Sequence, residues 1–325
     1  MGFFDRVGQL MTGRTVPNLD PVLDLSNQEV FEAHLSSLLA SLLTMAWFVE
    51  ARDPYTGGHL WRVSKYSELL AKACGESNAS VAQISLGGFL HDLGKIGIPD
   101  AILNKADRLT DDEYSIIKTH PEMGFRMLGG HPLSDFVKDA VLLHHERPDG
   151  KGYPQGLSEK DIPLMARIVG LCDAFDAMTS SRPYRAGMPL EKALSIIEAN
   201  LGSQFDKSLG LVFIRLGREG ALNAVLGHSG NGIPLETCNA CGFSLVIHKD
   251  HHEGESVFCR HCSGESKLSE QEGKLVPLFT GRKGAPMDSE PKLDQQLIAE
   301  TVRQSIAALP VTEMTHSVMT NYQTN

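Results

Sequence analysis

Positive charge, aromatic rings and long apolar runs are all in short supply in this chain. Its 30 Lys and Arg face 40 Asp and Glu, for a formal net charge of -10. That balance argues against coating nucleic acid, which needs a basic face. A small anionic ligand stays open, because metal ions and a few local Arg or Lys reverse the field around a site. The longest apolar stretch, residues 35–49, carries Ser36, Ser37, Ser41 and Thr44 and falls short of the roughly 18–20 residues of a membrane span. It reads as a buried helix. The N-terminus, with Asp5 and Arg6 before only a brief apolar patch, does not resemble a cleavable leader. The expected location is therefore the cytoplasm, and no sensor or receiver pattern is expected before residue 28. Of 6 cysteines, four fall in two Cys-x-x-Cys pairs, a spacing that suggests metal rather than disulfide in a reducing compartment. Cys74 and Cys172 read as small buried hydrophobes. There is no internal repeat.

Residues 1–27 are punctuated by Gly and Pro and read as a tail. Ser26-Asn27-Gln28-Glu29 fits a capping box, and residues 31–50 continue as a helix that is apolar over most of its circumference. Such a helix can pack on two sides, so a homodimer through it is one expectation. His59, Val63, Tyr66 and Leu70 recur at helical spacing up to Gly75. A helix over residues 78–93 delivers His91 and Asp92. Thr110-Asp111-Asp112-Glu113 is a second capping box, His120-Pro121 opens a helix to Leu128, and residues 134–146 form another, closing in His144-His145-Glu146. Residues 147–157 are too rich in Gly and Pro to be helical. Asp161 and Pro163 start a long helix through Met178, with Asp173 and Asp176 on one face; residues 190–200 and 206–216 complete the set. No period-2 pattern occurs between residues 30 and 225, so the class is an all-α helical bundle.

Collected, this bundle offers His59, His91, Asp92, His120, His144, His145 and Asp173, each on or near the end of a helix. Neutral imidazoles and carboxylates are the ligand set for Fe, Mn, Ni or Zn. Seven such residues exceed the needs of one tetrahedral ion and suit two divalent ions. The expected bridge is Asp92, with His59, His91 and Asp173 on one ion and His120, His144 and His145 on the other. Unrelated polar core residues are the competing reading, but so many unpaired buried groups would be costly. A two-metal site activates water and steadies the leaving oxygen of a displacement at phosphorus, which predicts phosphoester hydrolysis.

At this point the chain resembles a known family. His91-Asp92, with His59 upstream and Asp173 downstream, is similar to the HD metal-dependent phosphohydrolase superfamily. Three longer motifs are similar to its HD-GYP subfamily over about residues 28–220. They are His91-Asp92-Leu93-Gly94-Lys95-Ile96-Gly97-Ile98-Pro99, His144-His145-Glu146-Arg147-Pro148-Asp149-Gly150-Lys151-Gly152-Tyr153-Pro154, and Asp173-Ala174-Phe175-Asp176-Ala177-Met178-Thr179-Ser180-Ser181-Arg182-Pro183-Tyr184-Arg185. The resemblance implies a phosphodiesterase of cyclic di-GMP that opens the ring to linear pGpG and sometimes proceeds to GMP. It implies two divalent ions, Fe or Mn before Ni or Zn. It gives Lys95 a role beside the metals, on the phosphate or at the leaving group, and Asp92 the bridge. It assigns Arg182 and Arg185 to guanine or phosphate, and Gly152 and Tyr153 to the substrate loop. By residue type alone, Lys95 could equally be a solvated cation, and Arg182 and Arg185 a salt-bridged pair. Members with a third metal carry a glutamate where this chain has Tyr55, a poor ligand at neutral pH, so two metals are expected, with Asp53, Glu50 or Asp176 as partial substitutes. A sensing module with little turnover, or a phosphodiesterase of another cyclic dinucleotide, competes with this reading.

After residue 227 the composition changes. Cys238-x2-Cys241 and Cys259-x2-Cys262 carry the spacing of a zinc ribbon, a closed four-thiolate site with a structural role, separable from hydrolysis. His261, His248, His251 and His252 read as exposed turn residues. The acidic chain favours a protein partner for the ribbon over nucleic acid, and no βαβ pattern supports a redox role. The expected divisions are a tail at 1–27, the phosphohydrolase domain at 28–225, the four-cysteine zinc ribbon at 236–264, and a mostly disordered polar tail at 265–325 with a short amphipathic helix over residues 294–308.

Overall fold

A computed structural model describes residues 28–52, 57–105, 107–180 and 187–309. The first helix, α1 (Gln28–Arg52), is longer than the apolar stretch that predicted it. Phe31, Leu35, Leu39, Leu42, Leu43 and Ala46 form its buried stripe and enter the main core. Among the described residues it is the one helix long and apolar enough to cross a membrane. Its last residue, Arg52, donates to the carbonyls of Ile96 (2.8 Å) and Ile98 (2.9 Å) and to Asp100 (2.7 Å), tying α1 to the turn that follows His91-Asp92. The capping box expected at Ser26 lies outside the described residues.

Helices α2 (His59–Ala73) and α3 (Asn78–Leu90) cross closely because Gly88 faces the Ser64 backbone, where an added Cβ would stand 3.0 Å from Ser64 Cα. The helix expected to reach Leu93 stops at Leu90. A 3-10 turn (Leu93–Gly97) follows, with Lys95 N–H donating to the Asp92 carbonyl at 2.9 Å. A short α4 (Asp100–Leu103) leads to α5 (Asp111–Ile117), whose capping box is formed as read: Glu113 N–H donates to Thr110 Oγ1, and Thr110 N–H to Glu113 Oε2. Then come α6 (His120–Leu128), with Pro121 in its first turn, α7 (Ser134–Leu143), α8 (Leu164–Thr179), α9 (Leu190–Ala199) and α10 (Lys207–Arg218), the last capped by Asp206. The described residues from 28 to 227 contain no strand, only two isolated bridges, so this region is all-α.

Beyond it, β1 (His228–Gly230) pairs with β2 (Ile233–Pro234), and β3 (Glu236–Thr237) with β4 (Ser244–Leu245). A three-stranded antiparallel meander follows: β5 (Ser256–Phe258), β6 (Gly264–Gln271) and β7 (Lys274–Lys283). This corrects the expected polar tail, since β6 and β7 occupy residues assigned to it. Their sequence hides the strands because β6 buries Glu265 and Ser266 beside Leu268, leaving no apolar alternation to read. Glu265 is reconciled with its position by Ser256, Thr280 and Arg282, all of which donate to it. The final helix, α11 (Gln295–Ala308), forms as expected and returns Ile298 and Val302 to the main core.

Candidate metal centre

Four helix ends and one helix face bring seven polar side chains to one point. His91 stands at the end of α3, His120 opens α6, His144 and His145 follow α7, His59 opens α2, and Asp173 lies on α8. Asp92 sits between them. Its Oδ2 is 3.6 Å from His59 Nε2 and 3.4 Å from His91 Nε2, while its Oδ1 is 3.4 Å from His120 Nε2. Asp173 Oδ1 is 3.5 Å from His59 Nε2 and 3.8 Å from His91 Nε2. Ligand atoms of His59, His91 and Asp173 form one set within 4.8 Å of one another, and those of His120, His144 and His145 form another. A further group, His91, Asp92 and His144, also lies within 4.8 Å and joins the two sets, with Asp92 facing both.

What aims the imidazoles is the far nitrogen of each ring. Nδ1 of His91 bonds the Gly88 carbonyl (2.8 Å), that of His120 the Ile117 carbonyl (2.8 Å), and that of His144 the Ala140 carbonyl (2.7 Å). A carbonyl only accepts, so each Nδ1 carries the proton and each Nε2 presents a lone pair inward. His59 Nδ1 bonds Asp176 Oδ2 at 2.8 Å, and Arg62 grips the same carboxylate through Nε (2.6 Å) and Nη2 (3.0 Å). Asp176 therefore supports His59 from behind and is not a spare ligand. Arg62, missed in the sequence, carried one signal: it lies one helical turn after His59.

Burial lowers His120 to about 4 and, helped by the charge of His120, His145 to about 3; burial and the neighbouring histidines hold His144 well below its usual value. These rings are neutral at pH 7, as ligation requires. His59 differs: burial opposes the proton, but Asp176 and Asp92 together raise it to about 10. A cation here must displace that proton. The residues fit divalent ions on one further ground: His91 Nε2 is buried without a hydrogen-bond partner, at a cost that a ligand bond removes.

Glycines let the elements close around the centre. A Cβ on Gly94 would overlap the His120 carbonyl oxygen, and one on Gly170 the His144 carbonyl oxygen. Gly152 lies against the His145–Arg147 backbone, 2.5 Å from Arg147 N to an added Cβ. The loop it belongs to is organised by Glu146, another residue whose part was not foreseen, which accepts from the N–H groups of Gln155, Gly156 and Leu157. Tyr153 stacks on His145 with ring centroids 4.7 Å apart. Lys95 Nζ is 2.6 Å from Asp92 Oδ2. Lys95, Arg147, Lys151, Tyr153 and Arg167 share with His59, His120, His144, His145 and Asp173 a cleft of about 440 Å³. Arg182, Arg185, Asp53 and Tyr55 lie outside the described residues.

Outside that cleft, the four cysteine sulfurs converge within 4.8 Å, with Cys238–Cys262 at 3.7 Å and Cys241–Cys259 at 3.5 Å. Tetrahedral zinc with bonds of about 2.3 Å implies sulfurs about 3.8 Å apart, so the cluster fits that ion. His261 stacks on Phe243 at 3.6 Å, and His248 bonds Asp294 at 3.0 Å. His248 and His251 are half-buried rather than exposed, whereas His252 and His261 are exposed, as expected.

The HD domain family profile matches residues 44–209, just over half of the sequence, and the chain belongs to that family. Among curated relatives, a cyclic di-GMP phosphodiesterase of Thermotoga maritima is 39% identical over 200 residues, covering 61% of this chain and 54% of its own. The cyclic di-GMP phosphodiesterase response regulator RpfG of Xanthomonas campestris pv. campestris is 41% identical over 169 residues (51% of this chain, 44% of its own). The 3'3'-cGAMP-specific phosphodiesterase 3 of Vibrio cholerae is 41% identical over 160 residues (49% and 34%). The chain spans about half the length of these relatives, or less.

Proposed function

We propose that the chain hydrolyses cyclic di-GMP to linear pGpG in the cytoplasm, using two divalent ions, Fe or Mn, held by His59, His91, Asp92, His120, His144, His145 and Asp173. The observation that carries this is Asp92, whose two oxygens face opposite ligand sets. Bound ions would supply an activated water and charge stabilisation for an in-line displacement at phosphorus. Around them the side chains divide the work. Lys95, hydrogen-bonded to Asp92, in this reading holds a phosphate oxygen and hands a proton to the departing 3'-oxygen as water adds to phosphorus and the P–O3' bond breaks. Tyr153 and Gly152 form one wall for the substrate, and Arg182 and Arg185 are assigned to guanine or phosphate. The basic residues of the cleft offset the acidic chain where an anion must enter.

One observation favours a second substrate: a relative of similar identity is named for 3'3'-cGAMP. Purified full-length protein, loaded with Fe or Mn and given cyclic di-GMP, 3'3'-cGAMP or both, tests the two readings by product identification. Linear pGpG, abolished by chelation, is the expected outcome. Tight binding of cyclic di-GMP without product would sink the enzyme reading and favour a sensing module.

A further inference from the structure

The segment that delivers His59 is held from outside the helical bundle. Arg62 is 2% exposed, and all five of its N–H donors are engaged: three bonds go to Asp176 and Ser180, one to the Gly57 carbonyl (2.8 Å) and one to the His228 carbonyl on β1 (2.9 Å). Gly58, at φ 73, lies directly on the Ser229 backbone, so that an added Cβ would fall 2.9 Å from the Ser229 carbonyl oxygen. Gly57 rests on the ribbon itself, where its Cβ would meet Val246 Cγ2 at 2.6 Å and Leu235 Cδ1 at 3.4 Å. Val246 directly follows β4, the strand that pairs with β3 just before Cys238. From the bundle side, Glu50 Oε1 accepts the His59 N–H at 2.6 Å.

We infer that the cysteine ribbon and the hairpin leading into it are a positioning clamp for His59, so that zinc in the ribbon sets affinity for the ion at His59, His91 and Asp173. This inference rests on the metal-site reading above. The ribbon is then no separable appendage. When its four sulfurs lose their ion, β3 and β4 lose their anchor, Val246 and His228 retreat, and Arg62 is left with an unused donor. The carboxylate that orients His59 slackens with it. His120, His144 and His145 touch none of these groups and keep their geometry.

Titrating Mn²⁺ into full-length protein stripped of its bundle metals separates the possibilities. Wild type should bind two ions. Cys238→Ser/Cys241→Ser and, with all cysteines intact, Val246→Asp should each weaken one ion by about 10- to 100-fold, the usual effect of losing an outer support. Both should spare the other ion and the helical circular dichroism. The affected ion should be the one absent in His59→Ala, and adding Cys238→Ser to His59→Ala should change nothing further. Two ions bound at wild-type affinity with the ribbon emptied would overturn the clamp, as would equal weakening of both. If His59→Ala itself kept both ions, the metal-site reading would fall first.

Discussion

Replacing Gly94 by alanine should damage the centre without touching a ligand. The residue's φ is not in the left-handed region, so alanine's backbone preferences are no obstacle. The obstacle is the methyl group, which would overlap the His120 carbonyl oxygen and crowd the backbone nitrogen of Gly124, far inside the 3.0 Å that real Cβ atoms keep. Both neighbours are backbone, so no rotamer change relieves the clash, and the turn after Asp92 must part from α6 by more than about 1 Å. Overpacking of this kind costs about 1–3 kcal/mol, and a rigid contact puts it at the upper end, a fall in Tm of roughly 6–10 °C. Asp92 and His120 lie on opposite sides of the opened contact, 3.4 Å apart at their nearest ligand atoms. Misplacement by about 1 Å typically costs about 100-fold in rate. Thermal denaturation, metal analysis and turnover of Gly94→Ala check this, with Gly130→Ala as the neutral control because nothing lies within 4 Å of its added methyl. A Gly94→Ala protein with wild-type Tm, metal content and rate would refute the close-approach argument.

Asp92→Ala should release both ions and about 1000-fold or more of activity, since it removes a ligand from each set; metal analysis reads the first and turnover the second. Lys95→Ala should retain both ions and lose about 100-fold in kcat, the usual scale of a proton donor, and loss of metal instead would make it a structural residue. Affinity for the ion at His59 should fall about tenfold for each unit the pH drops below 10, because that ion displaces a proton held near pH 10. The ion at His120, His144 and His145 should be nearly indifferent until about pH 4, where His120 begins to compete. Metal titrations at pH 6, 7 and 8 distinguish the two, and parallel pH slopes would contradict the assignment.

The helices and the clustering of the candidate ligands were legible because their signals are local. Thr110 and Glu113 sit three residues apart, Pro121 follows a helix start, and a histidine at a helix end is visible as such. Arg62, Glu146 and Asp176 were not legible in their roles, since each acts through partners far away in sequence: Asp176 is 114 residues from Arg62. The end of α3 came three residues early because a contact with the His120 backbone, invisible in the order of residues, shapes the turn at Gly94. Strands β6 and β7 escaped notice because a buried glutamate neutralised by Arg282 has no apolar signature.

The Nδ1 contacts of His91, His120 and His144 carry one more lesson. Gly88, Ile117 and Ala140 belong to the final turns of α3, α5 and α7, where carbonyls run out of main-chain partners. Each ring thus finishes a helix with one nitrogen while offering the other to a cation. Cysteine or aspartate could bind the ion but has no second donor with which to close the helix. Imidazole is demanded here by the architecture as much as by the metal, and exchanging it would fray the scaffold even where coordination survived.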